Sequence, residues 1–213
     1  VTSTAPMEPS PARAGALRVA TGRTSTPVFA GYVEATTAHC PYLGPSVRNG
    51  LTYWTTYDIA PGAELFDIEG ALFAAAAVCA ERVRILSKGQ RGHLVCENLV
   101  VRGASRRHLD WPHWALKNLY GPVGLMFGKF WEGEEDTSRL GADLPVPPVT
   151  FLSIRPAVRP RDPQFLHNTP VLADTVREAQ DDGRNVFDGL DRDWATVRSW
   201  AARLPKPSKE STP

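Results

Sequence analysis

The stretch LTYWTTYDIAPGAELFDIEGALFAAAAVCAERVRILSKGQRGHLVCENLVV, residues 51–101, decides the fold class. Its first seven residues, Leu51 to Tyr57, are β-branched and aromatic, the composition of a strand. Pro61-Gly62 breaks the chain. From Ala63 to about Val83 the pattern changes to that of a helix. Leu65, Ile68, Leu72 and Phe73 fall near one face, and the alanine run favours helical backbone. Ser87 to Gln90 reads as a turn, and His93 to Val101 returns to a strand. One strand, one long helix and a second strand within fifty residues require a core with both kinds of element.

Working outward, VFAGYVEATT (residues 28–37) is the first ordered piece, followed by a compact turn at His39-Cys40-Pro41-Tyr42. Arg106 to Tyr120 carries a helical pattern, with Asp110 expected as its N-cap and Pro112 at its start, where a missing N–H costs least. Val123 to Trp131 and Val149 to Ile154 read as strands. Asp162-Pro163 is expected to open a short helix. A second helix is expected from about Pro170 to Asp181, and Asp193 should cap a last one from Trp194 to Leu204. Strands and helices mix without regular alternation. The expectation is therefore a single α+β domain over residues 28–204, with a mixed or antiparallel sheet and flanking helices. Residues 1–27 and 205–213 are rich in Pro, Ser, Thr, Ala and Gly and read as disordered tails.

Bulk composition excludes several functions. Of 213 residues, 42% are hydrophobic and 22% charged, with 24 basic against 23 acidic side chains. A net charge of +1 offers no field for nucleic acid or an acidic membrane. No run of about 18 apolar residues exists to span a bilayer. The start lacks the basic-then-apolar order of a signal peptide. Cys40, Cys79 and Cys96 are odd in number and widely spaced, which suits free thiols in a reducing cytoplasm. HExxH, P-loop and GxSxG patterns are absent. Gly121, Gly124 and Gly128 do not make a dinucleotide fingerprint and instead suggest a bulge or a close backbone approach.

Three groups of residues carry candidate chemistry. In the first, Cys40 or His39 could ligate a haem iron; the alternative is a small thiol packed at a strand entrance. In the second, Trp111, His113 and Trp114 offer two flat indoles beside an imidazole nitrogen. That is an axial ligand and a wall for a planar cofactor, or else a packed aromatic corner. The third is Arg155, Arg159 and Arg161, held by Pro156 and Pro160, whose guanidinium forks match carboxylates of haem or substrate. Surface ion pairing with Glu132, Glu134, Glu135 or Asp136 is the alternative there.

Four motifs carry a family likeness: Cys40-Pro41-Tyr42, Gly124 to Phe130, Pro147 to Arg155, and Asp162 to Leu166. In order and spacing, over residues 38–185, the chain resembles an uncharacterised actinobacterial domain family. More distantly it is similar in layout to YcgG-type haem-dependent N-hydroxylases. HCPYLG stands where that group opens with Phe-Pro-Cys, so the resemblance transfers no ligand. It implies a haem-dependent oxygenase, N-hydroxylation included, acting on a small amino-acid-like metabolite in natural-product biosynthesis. Electrons would come from an external donor, Tyr53 and Trp54 would join the indoles around the macrocycle, and Glu132 to Asp136 would meet a cationic substrate end. A non-catalytic ligand-binding or accessory protein of a biosynthetic complex is the alternative.

Overall fold

The computed structural model describes residues 15–138 and 141–205. Five strands form one sheet: β1 (Leu17–Thr24), β2 (Thr52–Ile59), β3 (Cys96–Arg102), β4 (Leu125–Phe130) and β5 (Phe151–Pro156). Their spatial order is β1-β2-β3-β5-β4. β2 and β3 run parallel, and every other pairing is antiparallel, so the sheet is mixed. A parallel pair needs a crossover. The long helix between β2 and β3 supplies it.

Among the described residues six α-helices surround the sheet: α1 (Ala30–Thr37), α2 (Leu43–Arg48), α3 (Leu65–Leu86), α4 (Arg106–Tyr120), α5 (Pro170–Arg177) and α6 (Trp194–Ala202). α3 buries Ile68, Leu72, Phe73, Ala76, Ala80 and Val83, a stripe at helical spacing, against the sheet. Alternation along the central strands decides what each face receives. Leu99 and Val101 of β3, with Leu152 and Ile154 of β5, point to α3 and α4 in the main core. Val100 and Phe151 point the other way, into a smaller cluster with Val33 and Trp54 under α1 and α2. Register supports this division, since Asn98 pairs with Ser153 and Leu99 with Leu152. Among the described residues no helix is long and apolar enough to cross a membrane.

The α+β reading holds, as does the order of strands and helices from β2 onward; α1 and α2 were not read as helices, and four further local expectations change. Leu17–Thr24, placed by composition in the N-terminal tail, is an edge strand. Only Leu17 of it is buried, and it is held by backbone pairing to β2, which composition does not register. Residues 1–14 and 206–213 of the two expected tails lie outside the described residues, and Ala16, just before β1, is buried in the main core. α4 begins at Arg106, with Ser105 as N-cap, and the Ser105 N–H donates to His108 Nδ1 at 2.9 Å. Pro112 is therefore an interior residue, and Asp110 pairs with Lys129 instead of capping. Asp162 starts a 3-10 turn through Leu166, and α5 stops at Arg177. Asp193 does cap α6, accepting from the Ala195 and Thr196 N–H groups at 2.9 and 3.2 Å.

Candidate ligand-binding cleft

The sheet face under α1 and α2 is not filled. α1 ends at Thr37, but the His39 and Cys40 N–H groups still donate to Thr36 O at 3.0 and 3.1 Å. Pro41 then stops the turn, because it has no N–H to continue it. Cys40 is thereby fixed at the junction of the two helices. α2 is pinned by Ser46, whose Oγ donates to Leu94 O at 2.6 Å and lies 2.6 Å from Thr52 Oγ1. Between this cover and the sheet lies a cleft of about 250 Å³. Its apolar walls are Tyr32, Val33, Trp54, Phe130 and Phe151. Phe130 and Phe151 stack at 4.7 Å, and Trp54 meets Phe151 edge-on at 5.9 Å. Gly128 is needed here, since a Cβ at that position would stand 2.8 Å from the Phe130 ring.

Strand alternation places Cys96 and Asn98 of β3 and Ser153 and Arg155 of β5 in the cleft; Thr36, Cys40 and Ser46 come from the helical cover and His93 from the turn before β3. Asp162, almost fully buried, grips Arg155 bidentately: Nη1 to Oδ2 at 2.7 Å and Nη2 to Oδ1 at 2.9 Å. It also accepts the Val158 N–H at 2.6 Å. Burial opposes the Arg155 charge, yet the Asp162 hydrogen bonds leave its pKa above the ordinary value. The guanidinium also feels the sulfurs of Cys96 and Cys40. Burial pushes the Cys96 thiol up, against the hydrogen-bonded Ser153 hydroxyl 3.3 Å away. The Trp54 indole N–H is buried and has no acceptor among the described residues. A buried donor left unmatched beside a cleft marks a place for a ligand acceptor.

A second cleft of about 160 Å³ adjoins the first and shares Tyr32, Thr36 and Phe130 with it. Lys129, Glu134 and Asp136 supply its charges. Burial raises the Glu134 carboxyl above its usual range, against the Trp131 N–H that donates to it at 3.4 Å.

The residues singled out from sequence divide between the two faces. Cys40, Trp54 and Arg155 line the first cleft. Arg161 reaches its rim, 5.9 Å from the ring of Tyr42, which also lines it, and Arg159 is exposed. His39 is exposed and is not part of the cleft wall. Trp111, His113 and Trp114 pack in or against the opposite face, so the expected site between the aromatic corner and the arginine loop is not assembled. The Trp114 Nε1–H donates to Ala201 O at 3.0 Å, and the Arg198 guanidinium sits 5.1 Å above Trp111. These indoles dock α6 on α4. His113 Nε2 carries its proton toward Phe127 O at 3.0 Å, and burial pushes its pKa down to about 3. That nitrogen is occupied by a structural hydrogen bond. Tyr53 also leaves the cleft, lying under Arg23 at 3.3 Å on the core side.

Cys96, Asn98 and Ser153 were not anticipated. Their signal is polar residues at spacing two within apolar strands: Cys96 and Asn98 in VCENLVV, Ser153 and Arg155 in FLSIR. Among the described residues no group of three or more His, Cys, Asp or Glu could hold a metal ion by side chains alone. No family model, curated protein or solved structure matches the chain.

Proposed function

We propose that the cleft under α1 and α2 receives haem through the Cys40 thiolate, and that the protein is a haem-dependent oxygenase of a small amino-acid-like metabolite. One observation carries the reading: of the three ligand candidates, Cys40 alone lies on the wall of an aromatic cleft. The residues there suit a flat macrocycle with a thiolate donor. Tyr32, Trp54, Phe130 and Phe151 provide apolar and aromatic surface. Arg155, locked by Asp162, lines the same cleft and brings a guanidinium to its wall for a carboxylate of the bound group. His113, Trp111 and Trp114 do not fit this role, being committed on the other face.

Haem, when bound, supplies dioxygen activation, and an external donor supplies the electrons. The chain's own contribution is placement. Cys40 holds the iron side, and the aromatic walls exclude water. The Trp54 N–H offers a hydrogen bond to an acceptor on the bound group. Glu134 and Asp136, one cleft away, provide acceptors for a cationic substrate end. At about 250 Å³ the cleft is small for a macrocycle, so loading requires the α1–α2 cover to move outward.

Hemin titration of the purified full chain tests the reading. A Soret band should grow to saturation, and the ferrous carbon monoxide adduct should show the red-shifted position of thiolate ligation. Cys40→Ala should lose that signature, whereas His113→Ala should keep it. Failure to take up hemin, or an unchanged spectrum in Cys40→Ala, overturns the assignment. Saturable uptake without dioxygen consumption in the presence of a reductant would favour the ligand-binding protein over the oxygenase.

A further inference from the structure

We propose that Cys40 and Cys96 form a reversible disulfide across the first cleft when the protein meets peroxide, making this wall a site of oxidative modification. The inference does not rest on the haem reading and holds for the chain alone. Two of the three cysteines line one cleft, one on the α1–α2 junction and one at the start of β3. Each sulfur also lies within the electrostatic reach of Arg155, and they act on one another. Cys79 is the built-in control. It sits on α3 against the opposite face, 4% exposed, and burial drives its thiol up to about 12.

Hydrogen bonding orders the two steps. Both thiols are half-buried, but the Cys96 thiol is held in the wall by Ser153 and Asn98, whereas Cys40 sits at the helix junction. Cys40 sulfur attacks one peroxide oxygen, the O–O bond breaks, and the departing hydroxide takes up a proton as water. The resulting Cys40 sulfenic acid is then attacked by Cys96 sulfur. The S–S bond forms, the S–O bond breaks, and the second oxygen leaves as water with the Cys96 proton. Two thiols lose two electrons and one peroxide becomes two waters. The product ties the helical cover to the sheet and removes Cys40 as a donor.

Trypsin separates the three cysteines, because residues 24–48, 49–82 and 92–102 are distinct peptides with one cysteine each. The full chain without added hemin is treated with a small excess of hydrogen peroxide, alkylated, digested without reduction and analysed by mass spectrometry. The expected dominant product is peptide 24–48 linked to 92–102, reversed by dithiothreitol, with Cys79 recovered alkylated. Cys96→Ser should abolish the link and carry Cys40 onward to sulfinic acid. Three results overturn the proposal: wild-type Cys40 over-oxidised with Cys96 still alkylatable, a link to Cys79, or disulfide-bonded dimers as the main product. Because hemin is absent throughout, these outcomes are separate from those of the spectroscopic test.

Discussion

The two faces of the sheet are built from the same strands and finished differently. Behind it, α3, α4 and α6 cover a continuous core in which Leu72, Leu99, Leu116, Leu152 and Ile154 are fully buried. Even its charges are enclosed: Glu69, 1% exposed, meets Arg198 at 3.1 Å, and Glu97, equally buried, meets Arg23 at 2.8 Å. In front, two helices of eight and six residues cover a cleft instead of a core. The contrast separates stability from chemistry. Residues that resemble cofactor ligands occur on both faces, but Cys40 and Arg155 on the front border a cleft, whereas His113 and Trp114 on the back are hydrogen-bonded into the packing.

The comparison breaks first at the largest expected difference. Leu116→Ala on the filled face should cost about 2–5 kcal/mol, since it removes a fully buried side chain from tight packing. Ser153→Ala on the hollow face should cost less than about 1 kcal/mol, because among the described residues its hydroxyl meets only the weakly bonding Cys96 thiol. Urea unfolding of the two variants gives both values. Similar losses would mean that the front face is packed as firmly as the back.

Acidity sharpens the same contrast. His113 on the filled face is held neutral down to about 3, while an unfolded histidine takes a proton near 6.5. Between those limits the unfolded chain binds the extra proton, so stability is fully present above about 6.5 and falls as the pH drops. The slope from this residue is at most about 1.4 kcal/mol per pH unit. Denaturation midpoints at pH 7 and pH 5 should therefore lie closer together in His113→Leu than in the wild type. An unchanged difference would show that His113 is not buried in the neutral form. The smallest effect belongs to neither face. Asp58→Asn removes an exposed pair with Arg102 at the far end of the β2–β3 ladder and should leave the melting temperature unmoved.

Secondary structure was largely legible because periodicity reports burial. The residue 63–83 pattern became α3 with a slight shift at each end, and both flanking strands were found. β1 was missed since its stabilising groups are backbone amides and the Arg23 pair with Glu97, with Leu17 as its one buried apolar side chain. Pro112 misled for a related reason: proline favours a helix start, but Ser105 had already capped the helix seven residues earlier. The site was half legible. Cys40 and Arg155 stood out by chemistry, and Trp111, His113 and Trp114 stood out equally, because residue type does not say which face of a sheet a helix covers. Strand alternation assigns Cys96 and Ser153 to one side, but that there is a cleft on that side depends on how short α1 and α2 are.

The irregular pairing of β1 has a consequence for the molecule in company. An outermost strand presents unmet amide and carbonyl groups that invite other chains to extend the ladder. Here the register slips twice, between Val19 and Thr21 and again before Thr24, and Arg18 is exposed on the strand while Arg23 turns inward to Glu97. Such slips bend the border out of a flat ladder and make it a poor template for a neighbouring copy.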